Sequence, residues 1–187
     1  MSQLEDVLKQ KKKSIVGKWL DLIADLYPAG AKFLADKDQF TNPVGYILSS
    51  EPPILFDQLL ADQVESEESL VALKNILQSR AVQDFSPGES VKFIFLLKHA
   101  IRNELKGRVK ENGISDELVL FEDRIDRLAC QAFGVYTSCR ERINDIRIME
   151  IRRDRDNAFR YLERMEKSRA KLEDGTVSSY NGSEVME

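Results

Sequence analysis

The stretch SPGESVKFIFLLKHAIRNEL, residues 86–105, decides the fold class of this chain. Ser86 and Glu89 have the spacing of a capping box, in which each side chain accepts a hydrogen bond from the other residue's backbone N–H. Pro87 occupies the first helical position, where its missing N–H costs nothing. The stretch therefore predicts a helix that begins after Ser86 and runs to about Lys110. Its apolar residues cover most of the circumference, which is typical of a helix at the centre of a bundle.

Upstream of this helix, apolar residues recur with helical spacing, and no alternation is strong enough to predict a strand. Pro52 and Pro53 lack backbone N–H groups, so they predict the end of one helix and the start of another. The upstream helices predicted are Gln3–Leu26 (open to a break near Ser14), Ala29–Ala35, a helix from Asn42 to about Leu48, one carrying Ile54 to Leu60, and one from Ser66 to about Val82. Together with the downstream region, the pattern predicts an all-α bundle of about six helices.

The last predicted helix opens at Ser115 and is long, because the chain contains no proline after Pro87. Its stripe advances in alternating steps of three and four from Ile125 to Met149, with Arg142 filling one position, which is the spacing of a coiled-coil seam or of a core stripe. The stripe consists of Leu118, Phe121, Ile125, Leu128, Ala132, Val135, Cys139, Ile146 and Met149. We predict a bundle domain over residues 1–150, a charged helical extension past the bundle over 151–174, and a disordered tail over 175–187.

Composition excludes several classes of protein. The net charge of −4 and the pI of about 5.3 argue against nucleic-acid binding, which requires a basic surface. No apolar run is long enough for a signal peptide or a membrane span. The two cysteines give no disulfide framework, so we expect a reducing, cytoplasmic location.

The sequence contains no recognisable catalytic or metal site. No nucleophile, base and orienting group can be assembled, so we expect that the protein is not an enzyme. His99 is the only histidine, and its helical neighbours are polar. A haem can be held by one histidine, but a surface position is the simpler interpretation of His99. Zinc would need more ligands than one histidine and two cysteines without ligand spacing supply. We expect no cofactor.

The region from Arg140 to Lys171 is rich in arginine, but interleaved carboxylates nearly balance the charge. A nucleic-acid helix would present a face of one sign, whereas mixed signs are typical of a solvated or protein-binding helix. We therefore predict protein contacts in this region. The candidate interaction residues are Arg140, Arg147, Arg152, Arg155, Phe159 and Leu162.

Several motifs carry a family resemblance. The segment Arg80-Ala81-Val82-Gln83-Asp84-Phe85-Ser86-Pro87, the run Phe93–Lys98 and the run Ile101–Leu105 resemble the RsbRD N-terminal domain family. Trp19, the Phe40–Gly45 turn, Arg124–Asp126 and Tyr136–Glu141 add to the likeness, which spans roughly residues 10 to 150. The family signature, which we expect to be structural, consists of Arg80, Gln83, Asp84, Phe85, Ser86 and Pro87.

This family is named for the RsbT co-antagonist paralogue of the bacterial stressosome. The resemblance implies an all-helical sensory input domain, similar in role to the globin-like stressosome domains that bind no haem. Such domains usually precede an output module, and we expect this chain to act as a stand-alone copy. The first interpretation is a signal-transduction protein of the stress response that binds protein partners, including a second copy of itself. The alternative is a ligand or cofactor carrier of anaerobic, sulfate-respiring energy metabolism, with His99 near a pocket.

Overall fold

The structure, a computed structural model, describes residues 2–27, 30, 38–106 and 114–180. These residues form five helices and no strand, which confirms the all-α class and the long last helix. The helices are α1 Gln3–Ala24, α2 Pro43–Leu60, α3 Glu67–Val82, α4 Pro87–Glu104 and α5 Ile114–Tyr180. The predicted short helix around 29–35 lies outside the described residues, apart from Gly30.

The described residues contain five helices rather than about six, and α2 is one helix where two were predicted. Pro52 and Pro53 both lie inside it. A proline within a helix removes one backbone hydrogen bond and costs about 3 kcal/mol. Tertiary packing offsets this cost, since Pro52 itself is buried together with an apolar face on both sides of it. That face consists of Leu48, Leu55, Phe56, Leu59 and Leu60.

The predicted capping box of α4 is confirmed. Ser86 Oγ accepts from the Glu89 N–H at 3.3 Å, and Glu89 Oε2 accepts from the Ser86 N–H at 3.0 Å. A second capping box begins α1, where Ser2 and Glu5 exchange bonds of 3.2 Å and 3.3 Å. It holds the start of α1, which continues without a break through Ser14.

The prediction for α4 was wrong in two respects. The helix ends at Glu104, with Leu105 as its C-cap, rather than near Lys110. It is also one-sided rather than apolar and central all round, because Phe95 is 42% exposed. The buried face, which meets α1, consists of Val91, Phe93, Ile94, Leu97, Ala100 and Ile101.

Helix pairs form the framework of the bundle. The indole N–H of Trp19 on α1 donates to the Phe93 carbonyl of α4 at 2.6 Å, and their rings stack with centroids 6.3 Å apart. Helices α2 and α3 pack together, and the Asn75 amide donates to the Glu51 carboxylate at 2.9 Å between them. Burial of apolar side chains between such faces is the main stabilising contribution.

The chain divides into two compact units, residues 1–141 and residues 142–187, and α5 contributes to both. In the first unit the apolar stripe of α5 is core rather than free surface, since Leu118, Phe121, Ile125, Leu128 and Ala132 are buried. In the second unit Ile146 and Met149 are 50% and 67% exposed. Helix α5 continues to Tyr180 and so includes residues 175–180 of the predicted tail. Residues 181–187 lie outside the described residues, and the disorder of the tail stays a prediction. No helix among the described residues is long and apolar enough to cross a membrane.

Candidate functional site

The corner between α3 and α4 contains a fully buried arginine. Arg80 has no solvent exposure, and its guanidinium lies among three aromatic rings. Its Cζ is 5.4 Å from the ring centroid of Tyr27, 5.2 Å from that of Phe85 and 5.1 Å from that of Phe93. Each distance is within the range of a cation–π contact, which is strongest when water is excluded. Three rings thus take the place of the carboxylate that usually accompanies a buried arginine.

Hydrogen bonding of this guanidinium is incomplete. Nη1 of Arg80 donates to the Glu89 carbonyl at 2.9 Å, whereas Nε and Nη2 make no hydrogen bond of regular geometry with a described residue. Burial lowers the pKa of Arg80, and the neighbouring Tyr27 opposes that shift. Burial also raises the pKa of Tyr27. The arrangement fixes α3 against the first turn of α4, because a buried donor must keep its acceptor.

Two residues of α5, Tyr136 and Arg140, donate hydrogen bonds to the same corner. Asp84 has a φ of 58°, a left-handed conformation that aspartate tolerates better than most residues. Nη1 of Arg140 donates to Asp84 Oδ1 at 2.7 Å and to the Ala81 carbonyl at 2.9 Å. The Tyr136 hydroxyl donates to the Phe85 carbonyl. We call Arg80, Asp84, Phe85, Tyr136 and Arg140 the corner clamp.

The family signature residues make up this corner. Gln83 is the C-cap of α3, Ser86 is the N-cap of α4 and Pro87 is its first residue. The remaining three, Arg80, Asp84 and Phe85, are the clamp residues on the corner itself. Sequence reasoning noticed Tyr136 and Arg140 as markers of the family. The sequence could not predict that Tyr136 and Arg140 contact the corner, because these contacts join residues more than fifty positions apart.

The first half of α5 is also tied to the bundle by ion pairs. Arg102 makes a bidentate pair with Glu122, with both N–O distances at 2.6 Å, and the bond raises the pKa of Arg102. Arg124 of α5 donates to Glu5 and to the Leu59 carbonyl, each at 3.2 Å. Further pairs join Lys98 to Asp126 and Arg127 to Asp62. Four charged residues of α5 in the first unit, Glu122, Arg124, Asp126 and Arg127, therefore pair with other parts of the bundle.

The candidate interaction residues fall in two different settings. Arg140 belongs to the corner clamp, where both its acceptors lie in the same chain. The other five, Arg147, Arg152, Arg155, Phe159 and Leu162, are exposed on α5 in the second unit. Phe159 and Leu162 are 59% and 55% exposed. Large apolar side chains at such exposure are usual for a surface that meets another molecule.

His99, the only histidine, is the one candidate ligand that the sequence offered. This residue is exposed on α4. In the described part of the chain, no three side chains of the His, Cys, Asp and Glu types converge as a metal would require. A surface groove of about 660 Å³ lies against α5 and is lined by Glu65, Leu70, Asp123, Asp126, Arg127, Cys130 and Gln131. His99 is not among the residues that line it.

Comparison with known proteins gives one result at the level of families. The model of the family described as "RsbT co-antagonist protein rsbRD N-terminal domain" matches residues 13–150. The match covers most of the chain and includes every residue of the corner clamp. No curated protein and no solved structure gives a significant match.

Proposed function

The chain belongs to the family of RsbT co-antagonist RsbRD N-terminal domains, and from this premise we propose that it is a non-enzymatic regulatory protein that binds other proteins. The family suggests a domain of stress signalling. We further propose that the protein acts in the bacterial cytoplasm as a homodimer and relays a state of its first unit to a partner protein.

One observation supports protein binding above the others. Residues 142–169 carry large apolar side chains whose exposed fractions lie between 46% and 68%. They are Ile146, Ile148, Met149, Ile151, Phe159, Tyr161, Leu162 and Met165. A soluble monomer rarely displays so many large apolar residues along one segment, because removing each from water contributes roughly 1.5–3 kcal/mol.

Light scattering of the purified full chain tests the homodimer. At tens of micromolar we expect the mass of a dimer, and at lower concentration a shift toward the mass of one 21.4 kDa chain. The variant Leu162→Glu should remain monomeric, because a carboxylate replaces an apolar side chain at the contact. Asn157→Glu is the matched control, since it adds the same charge at another exposed position on α5. A monomer at every concentration would overturn the homodimer.

Binding of a different protein needs a separate test. A photo-reactive amino acid at Phe159 should form a cross-link in cells to a defined protein other than a second copy of this chain, whereas the same group at Tyr46, exposed on α2, should not. The partner is then purified and its affinity for the full chain is measured by calorimetry. Loss of binding in Phe159→Glu but not in Tyr46→Glu is the expected result. Equal affinity of wild type and Phe159→Glu for the partner would contradict the proposal that the second unit binds it.

A further inference from the structure

The second unit carries a heptad seam that differs from the stripe of the first unit. Its core positions advance in alternating steps of three and four along α5. They are Ile148, Ile151, Arg155, Ala158, Leu162 and Met165. Side chains at this spacing line one face of a helix and can interlock with a second helix. The four large apolar members are 46%, 68%, 55% and 55% exposed, in chain order.

Arg155 decides how two copies of this face can pair. In a parallel pair each core residue meets its own counterpart, so the two Arg155 guanidinium groups would lie against each other. Like charges at a partly desolvated contact repel each other. The flanking positions add a second conflict, because parallel pairing sets Arg147 beside the partner's Arg152. Arg155 is exposed and pairs with Asp156 of its own chain at 2.8 Å, and an exposed pair of this kind contributes too little to offset the repulsion between the two Arg155 groups.

An antiparallel pair relieves both conflicts. The two Arg155 side chains move from one layer to neighbouring layers, about 4.5 Å apart along the axis, and Arg147 no longer lies beside the partner's Arg152. We propose that residues 148–165 of two copies pack antiparallel, so that Ile148 faces the partner's Met165 and Ile151 faces the partner's Leu162. Arg155 then faces the partner's Ala158, whose small side chain leaves room for the long arginine stem. This proposal rests on the homodimer of the proposed function and specifies its surface and its orientation.

The flanking residues support the same register. Arg152 comes to lie beside the partner's Phe159, where a cation–π contact is available. Asp154 comes to lie beside the partner's Tyr161, whose hydroxyl is a hydrogen-bond donor. These two contacts use the exposed aromatic residues of the segment. One flank, Asp145 with the partner's Glu166, carries like charges, but it lies at the exposed end of the pair, where salt screens the repulsion.

Neighbouring registers fit less well. A shift of one heptad in one direction sets Ile151 against the partner's Arg155. A shift in the other direction sets Ile151 against the partner's Arg169. The first shift sets an arginine against an apolar residue at two symmetric places, and the second does so at four, because Arg155 then also faces the partner's Met165. Only the proposed register matches all four large apolar residues with one another. Matched apolar contacts are favoured because they remove the most apolar surface from water.

Disulfide trapping separates the two orientations. The background is the full chain with Cys130→Ala and Cys139→Ala, which contains no other cysteine. Into it Ile148→Cys and Met165→Cys are placed singly, and each protein is oxidised alone and after mixing with the other. A disulfide requires Cα atoms about 4.4–6.8 Å apart. In the antiparallel pair, equivalent positions lie about 25 Å apart, from a rise of about 1.5 Å per residue.

The expected result is a cross-linked dimer in the mixture and none in either protein alone. A cross-link within Ile148→Cys alone would establish parallel pairing and overturn the orientation while leaving the homodimer standing. If light scattering finds monomers for both the wild type and the cysteine-free background, the homodimer and its antiparallel orientation are both overturned. Absence of every cross-link in a dimeric background would place the dimer contact outside residues 148–165 and overturn the inference.

A second variant checks the register without cysteine chemistry. Ala158→Glu sets a carboxylate opposite the partner's Arg155 in the antiparallel pair, so the dimer should persist or become tighter. In a parallel pair the same variant sets two glutamates against each other and should produce monomers. The control Ala158→Arg reverses the charge and should dissociate the antiparallel pair. Light scattering with a dilution series reports the dissociation constant, for which we expect at least a tenfold separation between the two variants.

Discussion

Nη1 of Arg140 lies 2.7 Å from Oδ1 of Asp84 and 2.9 Å from the Ala81 carbonyl oxygen, so one side chain of α5 holds the end of α3 and the corner after it. The hydrogen bond that Arg140 donates to Asp84 raises the pKa of Arg140 and so favours the charged guanidinium. Asp84 adopts a left-handed conformation at this point, with a φ of 58°. The corner is therefore fixed by contacts that are remote in sequence as well as by its local turn.

Tyr136→Phe should destabilise the first unit by about 1 kcal/mol, because the Phe85 carbonyl loses its hydrogen-bond donor while the buried ring at position 136 is kept. Urea unfolding followed by circular dichroism measures the change. Tyr46→Phe is the matched control, since this tyrosine of α2 is 39% exposed in the same unit, and it should leave the midpoint unchanged. Equal midpoints for Tyr136→Phe and wild type would show that the hydroxyl contributes nothing to the corner.

Arg80→Ala should be far more damaging than Arg80→Met. Both variants lose the cation–π contacts and the bond to the Glu89 carbonyl, but methionine keeps most of the buried volume among the three rings. Truncation of a large buried side chain to alanine leaves a cavity, and the difference between methionine and alanine at such a site is about 2–5 kcal/mol. Urea midpoints of the two variants give this difference directly. If the two variants were equally stable, the aromatic cage would not be packed around Arg80.

Stability should fall in acid through Glu104. Its carboxylate receives hydrogen bonds from Lys18, Ser14 and Lys11 of α1, and these lower the pKa of Glu104 from its usual 4.5 to about 2. The folded-state pKa lies below the unfolded-state value, so the ionised form stabilises the fold above about pH 4.5. This contribution disappears as the pH falls from about 4.5 to about 2.

Glu104→Gln tests this pH dependence. The variant should be less stable than wild type at pH 7, and the gap should narrow at pH 3, as judged by urea midpoints at both values. Glu163→Gln, at an exposed position on α5, controls for the general effect of removing one carboxylate. A gap of the same size at both pH values would mean that the Glu104 pairs with α1 do not stabilise the fold.

Ser86→Ala should cost about 1 kcal/mol, because the N-cap of α4 loses the acceptor for the Glu89 N–H. Ser86→Asp keeps an acceptor at the same place and should retain most of the stability. Thermal unfolding of the two variants beside wild type distinguishes a capping role from a simple need for a small polar residue. A Ser86→Ala protein as stable as wild type would make the capping box dispensable.

Local signals in the sequence predicted the starts of helices well. Asn42, Ser66 and Ser86 are N-caps where the sequence placed them, because capping depends on residues within one turn. The corner clamp was beyond such reasoning. The aromatic cage of Arg80 joins Tyr27, Phe85 and Phe93, and only the packed fold brings these rings together.

The stripe of α5 shows a different limit of sequence reasoning. Helical spacing predicted that Ile125 and Met149 lie on one face, but spacing alone cannot say what covers that face. Ile125 is buried by its own chain, whereas Met149 is 67% exposed. The burial of Ile125 depends on tertiary packing within the first unit, which no local pattern reports.

The two prolines of α2 also bear on how the protein opens. In a regular helix each backbone N–H donates to the carbonyl four residues earlier. Pro52 and Pro53 have no N–H, so two successive backbone hydrogen bonds of α2 are missing. The turns before Pro52 should therefore open with a smaller free energy than the turns after Pro53. Amide hydrogen exchange would then divide α2 into two zones of protection at these prolines. Helix α2 is continuous in the structure, but its two halves would open as separate cooperative segments in solution.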